Sequence, residues 1–293
     1  TMLKLIDEFG TGLEDSCESP GFKAVISVAA HLDKALWTRF MDKFNVRVVN
    51  VYGLSETVAG SFFCGPGDET FKVGTIGKPV DTEEKIVDDA HRPVDKLEIG
   101  ELFLRGDHVI KSYIKPSSNP DPEGWFRTGD LGYTDEEGFY YIKGRKKNVI
   151  IKGGVNVYPE ELMEAVNLHP DIKESFVFGE PDETWGEKIV VAAVKLEGVL
   201  LDDRSLKHYL LPLLESEYMP DRIHFVESLP KSISGKVVGA QVREQILSGS
   251  KQKETGHKTT TLKSSLLKIA EACFNSTVRP EQYHLESMRD GIR

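Results

Sequence analysis

Apolar and polar positions along the chain predict an α/β unit in its first part. Between residues 35 and 44, the segment ALWTRFMDKF carries apolar side chains at helical spacing. The next segment, NVRVVNVYG, alternates valines and ends at Gly53, which predicts a buried strand that leaves into a loop. A helix followed by a strand favours an α/β arrangement. From about residue 73 to residue 145, short β-rich runs broken by Gly, Pro and Asp predict a small β-subdomain of hairpins.

Predicted helices and strands alternate over residues 148–247. The segment NVIIKGG predicts a hairpin that Gly153 and Gly154 close, and YPEELMEAVNLH predicts a helix with Pro159 near its start. ESFVFG, EKIVVAAVKLEG and RIHFVESLP are typical of strands. DRSLKHYLLPLLESEY and AQVREQIL are typical of helices, the former interrupted at Pro212. This pattern indicates a compact α+β module.

The last part of the chain has a different composition. Residues 248–263 are rich in Ser, Lys, Thr, Gln and Gly, which predicts a linker. Beyond it, SSLLKIAEACFN has the apolar spacing of one amphipathic helix, and a helix this short is marginally stable alone in water. We therefore expect residues 264–293 to begin a further domain that the chain does not complete.

Composition excludes several classes of protein. The 293 residues are 39% hydrophobic and 29% charged, which is typical of a soluble globular protein with two domains, or with one large domain and a smaller attachment. Cys17, Cys64 and Cys273 lie far apart, which argues against disulfides and structural zinc and favours a reducing, cytoplasmic setting. No apolar run is long enough to predict a membrane span. The net charge of −10 argues against nucleic acid as the main partner but not against a small anionic ligand.

The segment VNVYGLSETV, residues 49–58, places candidate binding groups directly after the predicted strand. Tyr52, Gly53, Ser55 and Glu56 lie in that loop, and ligands of α/β sheets gather at the carboxyl ends of strands. An aromatic ring, a hydroxyl and a carboxylate can hold a base, a phosphate and a metal ion. The alternative is a glycine turn followed by a helix that Ser55 caps.

Two later segments carry further candidate groups. In WFRTGDLGYTDEEGFYYIKGRKKNVIIKGG, residues 125–154, Asp130 can accept two hydrogen bonds from a ribose diol and Arg145 can donate to a phosphate. The alternative is a pair of hairpin turns with Asp130 as a turn residue and Arg145 as a solvated cation. In LPKSISGKVVG, residues 229–239, Lys236 follows Gly235 on a turn and can reach an anionic group. The alternative is a solvated lysine, and we expect Lys231 to be a solvated or supporting cation.

The order of these motifs resembles the adenylate-forming superfamily, which includes acyl-CoA and aryl-CoA ligases, peptide-synthetase adenylation domains and firefly luciferase. The chain has Y-G-x-S-E, then T-G-D, then G-R-x-x-x-x-I-x-x-G-G, and then P-K-x-x-x-G-K, over roughly residues 20–247. The resemblance implies a mixed α/β (α+β) fold. Residues 1–147 would be the C-terminal part of a large adenylation domain, and residues 148–247 would be a small mobile lid with its hinge at Lys147.

The resemblance also implies the chemistry. A carboxylic acid would attack the α-phosphate of ATP to give an acyl-adenylate and pyrophosphate, and a thiol of CoA or of phosphopantetheine on a carrier protein would then displace AMP. Glu56 would hold Mg²⁺, and Lys236 would bind the α-phosphate and the attacking oxygen, so these two are the implied catalytic residues. Gly153 and Gly154 would let the pantetheine arm pass close to the backbone. The residues implied in nucleotide binding are Ala29, Ala30, Asn50, Tyr52, Gly53, Ser55, Asp130, Ile142, Arg145 and Lys236.

Individual roles follow from matching the motifs. Tyr52 would stack on the adenine, Asp130 would take the ribose hydroxyls with Arg145 beside them, and Ser55 would meet a phosphate or the substrate carboxylate. Many members carry a Gly-Gly-Ala-Pro-like adenine loop where this chain has SVAAHL, residues 27–32. His31 therefore replaces a small residue or proline.

Other departures leave alternatives open. The family's Gly-rich phosphate loop is absent before Tyr52, so we expect this chain alone to be inactive. The segment GGVNVYPEELMEAV is similar to the acyl- and aryl-ligase branch, whereas the tail after residue 263 resembles the start of an acyl-carrier domain. The alternatives are an amino-acid adenylation domain of a peptide synthetase and a non-catalytic module that binds a lid or carrier.

Overall fold

The computed structural model describes residues 2–10, 12–13, 21–58, 60–115, 117–233 and 235–247. The predicted linker and carrier-like segment lie outside these described residues. The helices are α1 (Met2–Phe9), α2 (Lys34–Phe44), α3 (Pro159–Asn167), α4 (Asp203–Leu210) and α5 (Gly239–Leu247). The strands are β1 (Ala24–Val28), β2 (Arg47–Tyr52), β3 (Phe62–Cys64), β4 (Lys78–Pro79), β5 (Glu83–Val87), β6 (Gly100–Arg105), β7 (Phe126–Thr134), β8 (Tyr140–Arg145), β9 (Ile150–Lys152), β10 (Val155–Val157), β11 (Ile172–Asp182), β12 (Gly186–Lys195) and β13 (Arg222–Phe225).

The first sheet has the order β1-β2-β3-β4 and is built on one parallel pair. Strands β1 and β2 run parallel with α2 as the connection, so the loops after both strands leave from one edge of the sheet. Asp33 caps α2 by accepting a hydrogen bond from the Leu36 amide, and Asn45 ends the helix in a left-handed conformation. The helix buries its aromatic face, and Trp37 donates its indole N–H to the Val48 carbonyl at 3.1 Å.

The second sheet, β5-β6-β7-β8, is antiparallel and shares a core with the end of the first sheet. Phe62 of β3 is fully buried beside Leu102 and Leu104 of β6, and Tyr52 at the end of β2 packs against the same cluster. This shared core fixes the edge from which the loop after β2 leaves. The hairpins predicted between residues 73 and 145 are therefore present.

The third sheet has the order β10-β9-β12-β11, with β13 parallel to β12. Helices α3 and α4 cover one face, where Leu162 and Leu206 are fully buried, and α5 packs on the other through Val242. The hydrophobic clusters of this part contain only residues from Ile150 onward, whereas those of the other two sheets stop at Ile142. The apolar cores are therefore separate.

The mixed α/β fold agrees with the prediction, and two local alternatives are wrong. Asp130 lies inside strand β7 and not in a hairpin turn, because β6 and β8 both pair with this strand. The pairing register of β6 and β7 shifts beside Asp130, where Gly129 has a φ of +72°. Ser55 does not cap an α-helix, because residues Ser55–Thr57 form one 3₁₀ turn that begins after Leu54. Helix α4 ends at Leu210, as the proline at position 212 leads one to expect. Across the described part of the chain, every helix is too short or too polar to cross a bilayer.

We expect Leu162→Ala to destabilise the third sheet and its helices strongly. The side chain of Leu162 is fully buried, so its removal leaves a cavity that costs about 2–5 kcal/mol of unfolding free energy. Leu168→Ala is the matched control, because Leu168 is 51% exposed at the end of the same helix and should cost less than about 0.5 kcal/mol. Urea unfolding measures both, and equal losses would contradict this account of the core.

Candidate active site

Tyr52, Asp130 and Arg145 form one hydrogen-bonded cluster. The Tyr52 hydroxyl, at the end of β2, donates to Asp130 Oδ2 at 2.5 Å. Arg145 Nε lies 2.6 Å from Asp130 Oδ1, because these two residues are directly opposite each other on β7 and β8. Tyr52 and Asp130 are 78 residues apart in sequence, so the packing of the first sheet against the second brings them together. The sequence named all three residues, and the structure makes them neighbours.

The electrostatics of the cluster centre on Asp130, which is only 4% exposed. Burial raises the pKa of the Asp130 carboxyl, while the hydrogen bond from Tyr52 and the charge of Arg145 act in the opposite direction. Burial, followed by the charge of Asp130, holds the pKa of Tyr52 well above its ordinary value, so the phenol stays a neutral donor. The Arg145 side chain is 43% exposed and can donate its other N–H groups to an anion.

Backbone contacts brace the T-G-D segment in β7. The Thr128 hydroxyl donates to the Leu102 carbonyl at 2.7 Å and accepts from the Asp130 amide at 3.0 Å. Beside it, Glu101 accepts from the Gly129 amide at 3.3 Å. These bonds hold the Asp130 carboxylate at a fixed position.

A surface pocket of ≈ 280 Å³ lies next to this cluster. Gly129, Arg145, Lys146 and Lys147 line it. Lys146 is tied to the buried Glu101 at 3.0 Å, whereas Lys147 is exposed in the 3₁₀ turn Lys146–Asn148. Arg145 is paired with Asp130, and Lys146 also pairs with Asp89. The cationic side chains at this pocket can still attract an anionic group such as a phosphate.

Glu56 lies on the 3₁₀ turn that directly follows Tyr52. The turn is rigid because Thr57 is fully buried and its hydroxyl accepts from the Leu54 amide at 2.9 Å. Glu56 Oε1 accepts a hydrogen bond from the Tyr113 hydroxyl at 3.0 Å, and Ser55 is exposed beside it.

Glu56 could bind Mg²⁺ together with the phosphates of a nucleotide. Within the described ranges, no group of three or more His, Cys, Asp or Glu side chains could hold a metal ion. Proteins usually hold Mg²⁺ through one or two carboxylates together with substrate phosphates. A single carboxylate therefore fits a magnesium ion that arrives with a nucleotide.

Ala29 and Ala30 lie after strand β1, at the edge of the first sheet from which the loop after β2 also leaves. Ala29 follows β1 with φ +76°, in the left-handed region that favours glycine, and both Ala29 and Ala30 are exposed. Asn50 donates its side-chain amide to the Thr75 carbonyl at 3.0 Å, and Ile142 packs in the core below Tyr52. In this structure Asn50 and Ile142 thus support the edge of the sheet, and their nucleotide contacts stay predictions.

The structure does not bring Lys236 to this cluster. Its side chain is exposed on a turn that the Ser232 amide closes by donating to the Lys236 carbonyl at 2.8 Å, and no ion pair to it exists among the described residues. Lys231, expected to be a solvated or supporting cation, pairs with Glu174 at 2.6 Å. The two lysines therefore differ, since the structure fixes one and leaves the other extended into solvent.

Gly153 and Gly154 also lie away from the cluster, in the tight turn between β9 and β10. Both are exposed and have positive φ, +60° and +85°, which glycine adopts without strain. A Cβ at Gly153 would lie 3.1 Å from the Trp185 ring, whereas a Cβ at Gly154 would meet nothing. The turn is thus open on one side, and its predicted contact with pantetheine stays a prediction.

Sequence reasoning missed the contacts between helix α3 and the first two sheets. His31 Nε2 lies 2.8 Å from Glu164 Oε1, and Lys143 pairs with Glu161. Glu160 packs against Gly144, where an added Cβ would lie 2.3 Å from Glu160 Oε2. That oxygen is buried without a hydrogen-bond partner, and burial raises the pKa of the carboxyl. The sequence marked His31 as unusual but gave no signal for its partner, 133 residues away.

Family models match two parts of the chain. The model described as AMP-binding enzyme matches residues 3–114, and the model described as AMP-binding enzyme C-terminal domain matches residues 161–236. The chain belongs to these AMP-binding enzymes, the adenylate-forming superfamily, which confirms the resemblance drawn from the motifs.

Several curated relatives of this chain are CoA ligases. The chain is 35% identical to sulfoacetate–CoA ligase of Cupriavidus necator over 223 residues, which are 74% of this chain and 43% of that protein. It is also 35% identical to indoleacetate–CoA ligase of Aromatoleum aromaticum over 212 residues, which are 71% of this chain and 42% of that protein. The chain thus spans less than half the length of these relatives.

Solved structures confirm the fold. ATP-bound MatB from Rhodopseudomonas palustris matches with a TM-score of 0.72 at 28% identity, over 83% of this chain and 52% of that chain. The o-succinylbenzoate CoA synthetase (MenE) from Bacillus subtilis, in complex with the acyl-adenylate intermediate OSB-AMP, matches with a TM-score of 0.71 at 28% identity. That match covers 85% of this chain and 50% of the other.

The coupling between His31 and Glu164 should stabilise the fold at low pH only. The hydrogen bond from Glu164 is the main cause of the raised pKa of His31, while burial lowers it and the charges of Glu164, Asp33 and Glu160 add to the rise. A raised folded-state pKa means that the contribution is complete below the ordinary histidine pKa of about 6.5 and is lost as the pH rises through the folded value.

A double-mutant cycle with His31→Gln and Glu164→Gln, read by urea unfolding, measures this coupling. Because both side chains are about half exposed, we expect about 0.2–1 kcal/mol at about pH 5.5. As the pH rises toward about 8.5 the imidazole loses its proton, so we expect the coupling energy to fall toward zero. The same coupling energy at both pH values would contradict an ion pair.

Proposed function

We propose that the protein carrying this chain activates a carboxylic acid with ATP as an acyl-adenylate, with release of pyrophosphate, and then transfers the acyl group to a thiol. The observation that carries this proposal is the buried Asp130 carboxylate, held between the Tyr52 hydroxyl and the Arg145 guanidinium beside a cationic pocket. In the proposed arrangement, the residues of this cluster bind the nucleotide.

Each member of the cluster has a distinct proposed contact. The hydrogen bond to Asp130 fixes the plane of the Tyr52 ring, which then offers a face to the adenine beside Ala29 and Ala30. The Asp130 carboxylate accepts from the ribose hydroxyls, as acidic residues do in other nucleotide sites. Arg145 retains donors that point away from Asp130 and can bind a phosphate. Gly53 and Ser55 flank these contacts in the loop after β2.

Two charged residues are proposed for the catalytic roles. Glu56 would hold Mg²⁺, which supplies positive charge to the phosphate oxygens when it is bound. Lys236 would bind the α-phosphate and the attacking carboxylate oxygen, where negative charge grows in the transition state. Its exposed position on a turn leaves it free to enter and leave the site.

We further propose that residues 148–247 act as a lid that swivels about Lys147. One orientation would bring Lys236 to the nucleotide for adenylation. The other would turn Gly153 and Gly154 toward the acyl-adenylate, so that a pantetheine arm can pass along the open side of their turn. The separate apolar core of the lid supports this division, because rotation would not expose that core to water.

The acceptor that the curated relatives favour is CoA, since they include sulfoacetate–CoA ligase, indoleacetate–CoA ligase and 2-succinylbenzoate–CoA ligase. A phosphopantetheine arm on a carrier protein has the same reactive thiol and is the second candidate. The acids in the relatives' names differ in size and charge, so the substrate is assigned here as a carboxylic acid. We place the activity in the cytoplasm, where ATP and a reduced thiol acceptor are both present.

Asp130→Asn tests the nucleotide site directly. The change keeps the shape but removes the charge, so we expect MgATP to bind more weakly by about 1.5–3 kcal/mol, or about 10–150-fold in Kd. Calorimetry on the full-length protein measures this without any choice of acid. Asp135→Asn is the matched control, because Asp135 is also buried near the end of β7 but pairs with Lys72. Equal effects of the two changes would contradict a ribose contact for Asp130.

Lys236→Ala tests the proposed catalytic step. We expect ATP–pyrophosphate exchange to fall by about 10²–10³, because a preorganised donor to the transition state is lost. Sulfoacetate, indoleacetate and 2-succinylbenzoate serve as probe acids, and transfer from a preformed adenylate to CoA should be unchanged. Lys231→Ala, which removes the lysine paired with Glu174 on the same turn, should keep near-normal exchange. Unchanged exchange in Lys236→Ala would exclude the catalytic role.

A further inference from the structure

The segment after β6 contacts Glu56 twice. The Ile110 amide donates to the Glu56 carbonyl at 2.8 Å, and the Tyr113 hydroxyl donates to Glu56 Oε1 at 3.0 Å. One segment therefore holds both the main chain and the carboxylate of the same residue. Tyr113 lies 57 residues from Glu56, so this contact depends on how the segment is folded.

Three contacts of the segment fix the position of Tyr113. Val109 is 3% exposed and packs in the core that the first and second sheets share. His108 Nε2 lies 3.2 Å from the Ser61 hydroxyl and 3.2 Å from the Thr82 hydroxyl, which joins the segment to both sheets. Because these anchors precede Tyr113 by only a few residues, the phenol meets Glu56 as part of a supported segment.

The hydrogen bond from Tyr113 makes the two carboxylate oxygens of Glu56 different from each other. Oε1 accepts from Tyr113, and no other hydrogen bond to this carboxylate is made within the part of the chain that the structure describes. Tyr113 donates through an uncharged phenolic O–H. A neutral donor orients the carboxylate and leaves its negative charge uncompensated.

We infer that Tyr113 is a positioning residue that orients the Glu56 carboxylate toward a divalent cation bound with the nucleotide. The inference rests on the proposed function and adds a residue that the motifs did not name. A partner of this kind fixes a metal ligand through a hydrogen bond, and its loss typically weakens metal affinity by about 10–100-fold. An ordinary surface tyrosine would contribute packing and solubility but would not affect metal binding.

The test is Tyr113→Phe in the full-length protein, with ATP binding measured by calorimetry in EDTA and at saturating Mg²⁺. Loss of the hydroxyl should leave metal-free ATP binding unchanged and reduce the gain that Mg²⁺ gives by about 10-fold. Mn²⁺ titrated into the ATP complex and followed by electron paramagnetic resonance provides a second readout of the same site. Glu56→Gln shows how far the gain in ATP affinity from Mg²⁺ falls when the carboxylate is removed. Adding Tyr113→Phe to Glu56→Gln should not reduce that gain further.

Tyr140→Phe is the matched control, because the Tyr140 hydroxyl also donates to a glutamate, Glu84 Oε1 at 2.9 Å, on other strands. This variant should keep the full effect of Mg²⁺. An unchanged Mg²⁺ effect in Tyr113→Phe, or an equal loss with and without metal, would overturn the inference while leaving the proposed function standing. Failure of the wild-type protein to bind ATP would overturn the proposed function and this inference with it.

Discussion

A carboxylate that is removed from water needs hydrogen-bonding or cationic partners within the protein. Asp130 is a buried carboxylate of this kind. At 4% exposure, the charged form of Asp130 depends on the Tyr52 hydroxyl and the Arg145 guanidinium. Tyr52 ends a strand of the first sheet, and Arg145 ends a strand of the second. The apolar core that the two sheets share brings the Tyr52 hydroxyl to Asp130, and their hydrogen bond adds a polar contact between the sheets. Arg145 also lines the adjacent pocket, so the pocket lies beside this contact.

The two carboxylates at this edge have opposite environments. Asp130 is buried and paired with a cation, whereas Glu56 is partly exposed and receives one hydrogen bond from the neutral Tyr113. The protein thus satisfies the charge of Asp130 internally, and Asp130 is suited to accept hydrogen bonds at a fixed place. Among the residues that the structure describes, no cation pairs with Glu56, and an unpaired carboxylate of this kind attracts a divalent cation. The different partners of Asp130 and Glu56 suit these two residues to different roles.

Periodicity and motif order predicted the elements and the members of the cluster, because both are encoded locally. Helix α3 and strands β11 and β12 lie where the apolar spacing placed them. The sequence also allowed a hairpin turn at Asp130, because Gly129 and its neighbours are turn-forming residues. Pairing with β6 and β8 keeps this segment in a strand. The pairs Tyr113–Glu56 and His31–Glu164 left no signal in the sequence. Each joins side chains from distant elements, and such contacts follow from three-dimensional packing.

The contacts of helix α3 with the first two sheets differ in kind from those within each core. They are polar and partly exposed at His31 and Glu164, and ion pairs of this type contribute little to stability. Glu160 Oε2 is buried there without a partner, which opposes the packing because a desolvated oxygen loses its bonds to water. No apolar cluster crosses from Ile142 to Ile150 in the described residues. An interface with few stabilising contacts and one unfavourable contact can open at low cost. The lid movement about Lys147 that we propose would require an interface of that kind.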